Sequence, residues 1–286
     1  MVSLVKSAKL QDIFNQSDGG IVALDYVKKS YIGLNIEDEY ISSDKLTDLK
    51  NIVPIVDYKK GRRSVVYASG MSGSGKSSFS LAMISASVLF LSKVTDMPMR
   101  LIIVTRESVE DDDNYKSNYY GLPSIASLVK SGNLHVSLFT AEELVAEKML
   151  ETFLPSCKDY ITFVLLDDMD SIVDFKEYYM QFQHLLLTRA RKFRTHVFIC
   201  NHRAADVAAT RHILGELTSV WIPTRSKISS NFKKMLEKHA DLRLIEKSSV
   251  QDYLSSVKKD TRFVYLSIDN PYGVRYFVQN NIVFEE

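Results

Sequence analysis

Residues Gly70-Met71-Ser72-Gly73-Ser74-Gly75-Lys76-Ser77 spell G-x-x-x-x-G-K-S, and Ser78 follows. That spacing suits the binding of a polyphosphate together with a divalent cation, the Walker A pattern. Glycines let the backbone take dihedrals closed to other residues and approach phosphate oxygens closely. Successive N–H groups and a helix N-terminus then face the anion. In such a loop Lys76 reaches the β- and γ-phosphates, and the Ser77 hydroxyl is a ligand of Mg²⁺. A partner carboxylate is needed for the metal. Phe163-Val164-Leu165-Leu166 is an apolar run ending in Asp167, the Walker B pattern, which assigns Asp167 to Mg²⁺. Asp168 follows at once, where an acid can orient or deprotonate an attacking water. The expected ligands are therefore ATP and Mg²⁺, with residues 70–78 as the phosphate cradle.

These groups must be carried by particular elements. Ser64 to Ala68, just before the glycine loop, reads as a buried strand, and Ser78 to Ile84, just after it, as a buried helix. Further buried strands are predicted over Arg100–Thr105, Ile161–Leu166, Thr195–Cys200 and Thr218–Ile222, and a short strand over Leu134–Leu138. Helices are predicted from Ala141 to Thr152 and from about Ile172 to Leu187. Thr140 and Glu143 stand in the positions of a capping box, and Asp170 reads as the N-cap of the later helix. Buried strands alternating with helices imply a mostly parallel sheet covered by helices on both faces. Near the C-terminus, Arg262–Ile268 and Val274–Val278 flank Asp269-Asn270-Pro271-Tyr272-Gly273, which predicts a β-hairpin. Residues 1–60 are read as an N-terminal extension and 61–286 as one domain that includes the C-terminal β region. Asn201 ends the fourth core strand. In P-loop ATPases with an extra strand between the two Walker strands, a polar residue here senses the γ-phosphate, and the strand Leu101 to Val104 fits that extra strand.

Composition narrows the partners. The chain has 286 residues and a net charge of +1, so contact with a polyanion must come from local patches. Its two cysteines, Cys157 and Cys200, lack metal-ligand spacing and read as reduced thiols of an intracellular protein. The first apolar run is too short for a signal peptide. The most apolar stretch, Leu81–Leu91, is too short for a membrane span and belongs to the helix after the glycine loop. The run Glu110–Asp113 reads as a solvated acidic loop.

The order of these pieces resembles the HerA–FtsK superfamily of P-loop ATPases. It is most similar to the genome-packaging ATPases of poxviruses and other large DNA viruses. The resemblance covers roughly residues 60 to 280. It is carried by Gly70–Ser77, by the apolar strand ending in Asp167-Asp168, and by Arg189-Ala190-Arg191-Lys192-Phe193-Arg194-Thr195-His196 leading into Val197–Asn201. It extends through Ala204–Val207, Arg211 and the strand to Trp221, and then to Arg262–Asp269. In that superfamily a Gly-Arg or Arg-Lys pair precedes the sensor strand, often with a histidine at its start, and Ala190-Arg191 and His196 fall on those places. Two positions depart from the family pattern: Asp168 stands where Glu is frequent, and Asn201 where Gln is common.

The resemblance implies a RecA-like (ASCE) α/β fold and an ATP-driven translocase of double-stranded DNA that packages a viral genome into a capsid. It implies a homo-oligomeric ring, a pentamer or hexamer, with a capsid or portal component as a further partner, in the host cytoplasm or viral factory. It also implies an arginine finger supplied in trans, with Arg191 the first choice and Arg203 and Arg211 the alternatives. Basic clusters that could hold phosphates lie at Lys59–Arg63, at Arg189–Arg194, and at Arg225, Lys227, Lys233, Lys234 and Lys238. No zinc finger, helix-turn-helix or nuclease-type acidic cluster is evident. Two other readings remain open: an ATPase exporting single-stranded DNA or protein, and a nucleotide-dependent assembly switch with little turnover.

Overall fold

Strands covered on both faces need apolar residues at nearly every position, and four segments satisfy this. They form the heart of the computed structural model, which describes residues 2–7, 9–10, 20–25, 28–36, 47–50, 52–56, 63–106, 123–169, 172–202, 210–223, 263–267 and 276–280. The chain divides into two units, Met1–Asp57 with Ala204–Val283, and Tyr58–Arg203 with Phe284–Glu286.

The first unit contains the N-terminal strands β1 (Val2–Ser7), β2 (Gly20–Asp25), β3 (Ser30–Ile36), β4 (Thr47–Lys50) and β5 (Ile52–Pro54). Four of them make an antiparallel sheet in the order β1-β3-β2-β5, with a register shift between Ile21 and Ala23. Asp25 pairs with Ser30 at the end of the β2–β3 ladder, and the Asp25 carboxylate accepts the Lys28 N–H at 3.0 Å.

The second unit carries the predicted α/β pattern. It runs β6 (Val65–Ser69), α1 (Lys76–Leu91), β7 (Met99–Thr105), α2 (Pro123–Lys130) and β8 (His135–Thr140). It continues with α3 (Ala141–Ala146), α4 (Met149–Ser156), β9 (Ile161–Asp167), α5 (Lys176–Thr188) and β10 (Thr195–Asn201). The strands lie in the order β6-β10-β9-β7-β8, each parallel to its neighbours. This is the strand order of a RecA-like P-loop core.

Both faces of the sheet are covered. Side chains five residues apart on a strand point to opposite faces. On β10, Cys200 Sγ lies 3.4 Å from Ser80 Oγ of α1, whereas Thr195 Oγ1 lies 3.7 Å from Cys157 Sγ at the end of α4. α1 is apolar all round, as a helix buried within a domain must be, and Phe79, Leu81, Met83, Ile84 and Val88 are fully or almost fully enclosed. Each such side chain contributes about 1.5–3 kcal/mol by leaving water.

The extra strand requires a correction. The strand lying between the two Walker strands is β10, paired to β6 on one side and β9 on the other. The expected candidate, Leu101–Val104 in β7, pairs with the far side of β9. Both are equally apolar, so composition could not distinguish an inner from an outer place.

The predicted helix over 141–152 is two helices. Lys148 takes a left-handed conformation, φ 50°, which ends the first and starts the second. The cap was placed correctly: Thr140 Oγ1 accepts the Glu143 N–H at 3.2 Å, and the Glu143 carboxylate accepts the Thr140 N–H at 2.7 Å. Thr140→Ala is expected to lower stability by about 1 kcal/mol, read as a shift in the urea midpoint; an unchanged midpoint would discount the cap. The later helix starts at Lys176, because Phe175 is left-handed at φ 56°. Asp170 and Glu110–Asp113 lie outside the described residues.

The chain then returns to the first unit with α6 (Arg211–Leu214), β11 (Ser219–Pro223), β12 (Phe263–Ser267) and β13 (Tyr276–Asn280). β12 pairs antiparallel with both β11 and β13, which gives the predicted hairpin, and β4 adds to β13 in parallel. Trp221 and Tyr265 are buried there. Among the described residues, no helix is long and apolar enough to cross a membrane.

Candidate active site: a phosphate loop facing two strand ends

In a parallel sheet the C-terminal strand ends form one edge, and ligands bind in the crevice outside it. Here β6 ends in the glycine loop, β9 in Asp167-Asp168 and β10 in Asn201. Register holds the three ends level: Asn201 pairs with Ser69, and Cys200 with Asp167. The Gly70 N–H donates to the Asn201 carbonyl at 3.2 Å, which joins the start of the loop to the end of β10. The Asp168 N–H donates to the Cys200 carbonyl at 2.9 Å, which joins the end of β9 to the same strand.

The loop has the backbone its glycines predict. Gly73 and Gly75 have φ of 69° and 91°. A Cβ at either place would meet nothing within 4 Å, so glycine is required there by the dihedral angle and not by crowding. Gly75 leads directly into α1, a helix of 16 residues with no acidic side chain in its first turn. That leaves the positive end of the helix open to an anion.

Lys76 is 4% exposed although charged. Its Nζ donates to the Gly70 carbonyl at 3.1 Å and the Met71 carbonyl at 3.3 Å, and lies 3.7 Å from Asp168 Oδ1. The ammonium is thus held above its own loop, between the phosphate cradle and the second acid. Asp167 is buried at the end of β9, and Ser77 is the second residue of α1, directly after Lys76. One carboxylate and one hydroxyl suit Mg²⁺, which keeps waters and takes further oxygens from a substrate's phosphates. Among the described residues no cluster of three acidic, His or Cys side chains could hold a metal without such help. The donor set therefore fits a cation that arrives with a nucleotide.

Asn201 is 4% exposed, and its Nδ2 lies 3.5 Å from Tyr67 Oη. Its Oδ1 is buried with no hydrogen-bond partner. Rotating the amide by 180° exchanges acceptor for donor, so this side chain can present an N–H to a phosphate at little cost. Cys200, next to it, is no nucleophile: burial first, then the neighbouring Asp167, push its thiol well above the usual range.

Arg191 is not part of this group within one chain. Its side chain is exposed on the turn Ala190–Phe193, before the first residue of β10. β10 has 7 residues, so this turn and the Asn201 edge are separated by about 20 Å at the usual strand rise. Arg203 lies outside the described residues, as does the basic cluster at 225–238, and nothing is described of the Arg211 side chain. Arg63, from the first basic cluster, is 7% exposed and donates to the Leu186 carbonyl at 2.8 Å, so it is structural. His196 is also structural: it is 2% exposed, its Nδ1 accepts the Ser64 N–H at 3.1 Å, and its ring stacks on Phe163.

Sequence reasoning overlooked His202. Its Nε2 lies 3.2 Å from Asp168 Oδ1. The available signal was its place directly after Asn201, at a strand end already assigned to the site.

No protein-family model and no curated protein matches the chain. Solved structures similar to it include the genome packaging NTPase B204 from Sulfolobus turreted icosahedral virus 2 in complex with ATP-gammaS. That likeness has 12% identity and a TM-score of 0.47, and covers 77% of this chain and 98% of the other. The pCW3 conjugation coupling protein TcpA is similar at 12% identity and TM-score 0.41, over 96% of this chain and 84% of the other. EccC of Thermomonospora curvata (ATPases 2 and 3) is similar at 14% identity and TM-score 0.35, over 73% of this chain and 35% of the other. At such low identity these are likenesses of fold alone.

Proposed function

We propose that this chain is a Mg²⁺-dependent ATPase that drives double-stranded DNA, packaging a viral genome as a homo-oligomeric ring. The observation that carries the ATPase reading is the convergence of Lys76, Asp167, Asp168 and Asn201 on one sheet edge, facing a loop built on left-handed Gly73 and Gly75. The loop amides of residues 70–78 and Lys76 bind the phosphates. Ser77 and Asp167 hold the metal, which when bound neutralises charge on the phosphate oxygens. Asp168 orients the attacking water, and Asn201 reports the γ-phosphate to β10. Loss of the γ-phosphate removes the partner of Asn201 and the counter-charge of Lys76. The end of β10 is where that difference is felt first.

The DNA reading rests on the motif resemblance and on one feature of charge. Arg189, Arg191, Lys192 and Arg194 are exposed together at the start of β10. They can engage phosphates without reading sequence, and a ring multiplies a modest patch by its symmetry. Since Arg191 is far from its own nucleotide site, its role as a finger requires a neighbouring subunit.

The test is ATP hydrolysis at low salt, with and without linear duplex DNA, beside Lys76→Ala. A Lys76-dependent rate that rises several-fold with duplex DNA is expected. A rate indifferent to duplex DNA but raised by single-stranded DNA or a protein would move the cargo assignment to export. Full assembly without turnover would replace the motor by a switch.

A further inference from the structure

The end of β10 brings a second side chain to the water-positioning acid. His202 Nε2 and Lys76 Nζ lie 3.2 and 3.7 Å from the same oxygen, Asp168 Oδ1. The main chain of Asp168 is left-handed, φ 52°, and its N–H donates to Cys200 two residues before His202. Asp168 is therefore tied to β10 twice, through its backbone by Cys200 and through its side chain by His202. We infer that His202 is a positioning residue that fixes the Asp168 carboxylate, which orients the water that attacks the γ-phosphate. This rests on the reading of Asp168 given above.

Three physical points carry it. First, Lys76 cannot hold Asp168 during turnover, because its ammonium is needed at the β- and γ-phosphates. When Lys76 turns to the phosphates, the His202 contact remains. Second, Asp168 is one methylene shorter than a glutamate, so its reach is set by its backbone and one rotamer. A left-handed backbone aims that short side chain, and the imidazole just past the end of the adjacent strand, 3.2 Å away, limits its rotation. Third, the two side chains are 36% and 40% exposed, although the shared oxygen Oδ1 is itself enclosed. Contacts between side chains this open contribute little to folding, so this one should show in turnover more than in stability. Its position directly after Asn201 adds a consequence: a shift at the sensor is transmitted to the acid by one peptide unit.

The experiment compares the full chain with His202→Leu and His202→Gln, using Lys76→Ala as the blank. Measured are kcat, KM for ATP, affinity for a fluorescent ATP analogue, and the thermal midpoint. Gln keeps an N–H donor at about the reach of Nε2, and Leu does not. The expected result is a kcat about tenfold or more lower in His202→Leu. KM, analogue affinity and thermal midpoint should stay near those of the native chain, with most of kcat restored in His202→Gln. A His202→Leu kcat equal to native overturns the inference, as does an equal loss in both variants, or a loss that follows the thermal midpoint. A native chain with no Lys76-dependent turnover would instead bring down the ATPase reading itself.

Discussion

Asp168→Asn is expected to bind ATP as the native chain does and to hydrolyse it about 10²- to 10⁴-fold more slowly. The substitution keeps shape and one carbonyl oxygen, so the contact 3.2 Å from His202 Nε2 can persist. The Asp168 N–H, which donates to Cys200, is untouched. What disappears is the negative charge that, in the proposed role, polarises an attacking water and receives its proton. Phosphate binding depends on the loop amides and on Lys76, which has carbonyl partners of its own at Gly70 and Met71. Binding and chemistry should therefore separate. Equilibrium binding of a fluorescent ATP analogue checks the first, and single-turnover release of phosphate checks the second. Turnover within about threefold of native would remove Asp168 from the mechanism. A parallel loss of binding would make it a nucleotide or metal ligand instead.

The same arrangement shows what was readable in the residues and what was not. Strands β6, β7, β9 and β10 are enclosed on both faces, so each is an apolar run that stands out from its surroundings. The glycine loop was legible because its function demands specific backbone geometry, and Gly73 and Gly75 supply it. The Thr140–Glu143 cap was legible because both halves lie within four residues. Strand order was not, since β7 and β10 are alike in composition and only long-range pairing decides which lies between the Walker strands. The break at Lys148 was hidden because a lysine is an unusual residue for a left-handed turn. In the N-terminal sheet, β1 and β3 mix Ser3, Lys6, Ser30 and Asn35 with apolar residues, which blurs the signal of any single strand. His202 was missed for a related reason: its partner, Asp168, lies on another strand, and only register brings them together.

Histidine 196 gives the second large effect, and it concerns stability. In the motif resemblance His196 occupies a family position, but the structure gives it a mechanical task. Its Nδ1 accepts the Ser64 N–H at the start of β6, its ring stacks on Phe163 of β9, and it belongs to β10. One imidazole thus fastens the three strands whose far ends carry the site. An imidazolium could not do this, because a protonated Nδ1 cannot accept a hydrogen bond. Burial, and then the nearby Arg63 guanidinium, lower its pKa from 6.5 to about 3. In the unfolded chain the group protonates near 6.5 while the folded chain keeps it neutral. The unfolded state therefore binds more protons between those values, and folding weakens as pH falls. The contribution is complete above pH 6.5 and is lost progressively down to about 3, at about 1.4 kcal/mol per pH unit. Between pH 7 and pH 5 this one residue should remove about 2 kcal/mol, seen as a fall in the urea midpoint. His196→Asn can still accept the Ser64 N–H and does not titrate. It should be less stable than the native chain at pH 7, from lost packing on Phe163, and the gap should narrow by about 2 kcal/mol at pH 5. Parallel pH profiles for the two chains would show that His196 is not held neutral. Because the strands it fastens end in Asn201, Asp167 and the glycine loop, nucleotide affinity should fall along with stability in acid.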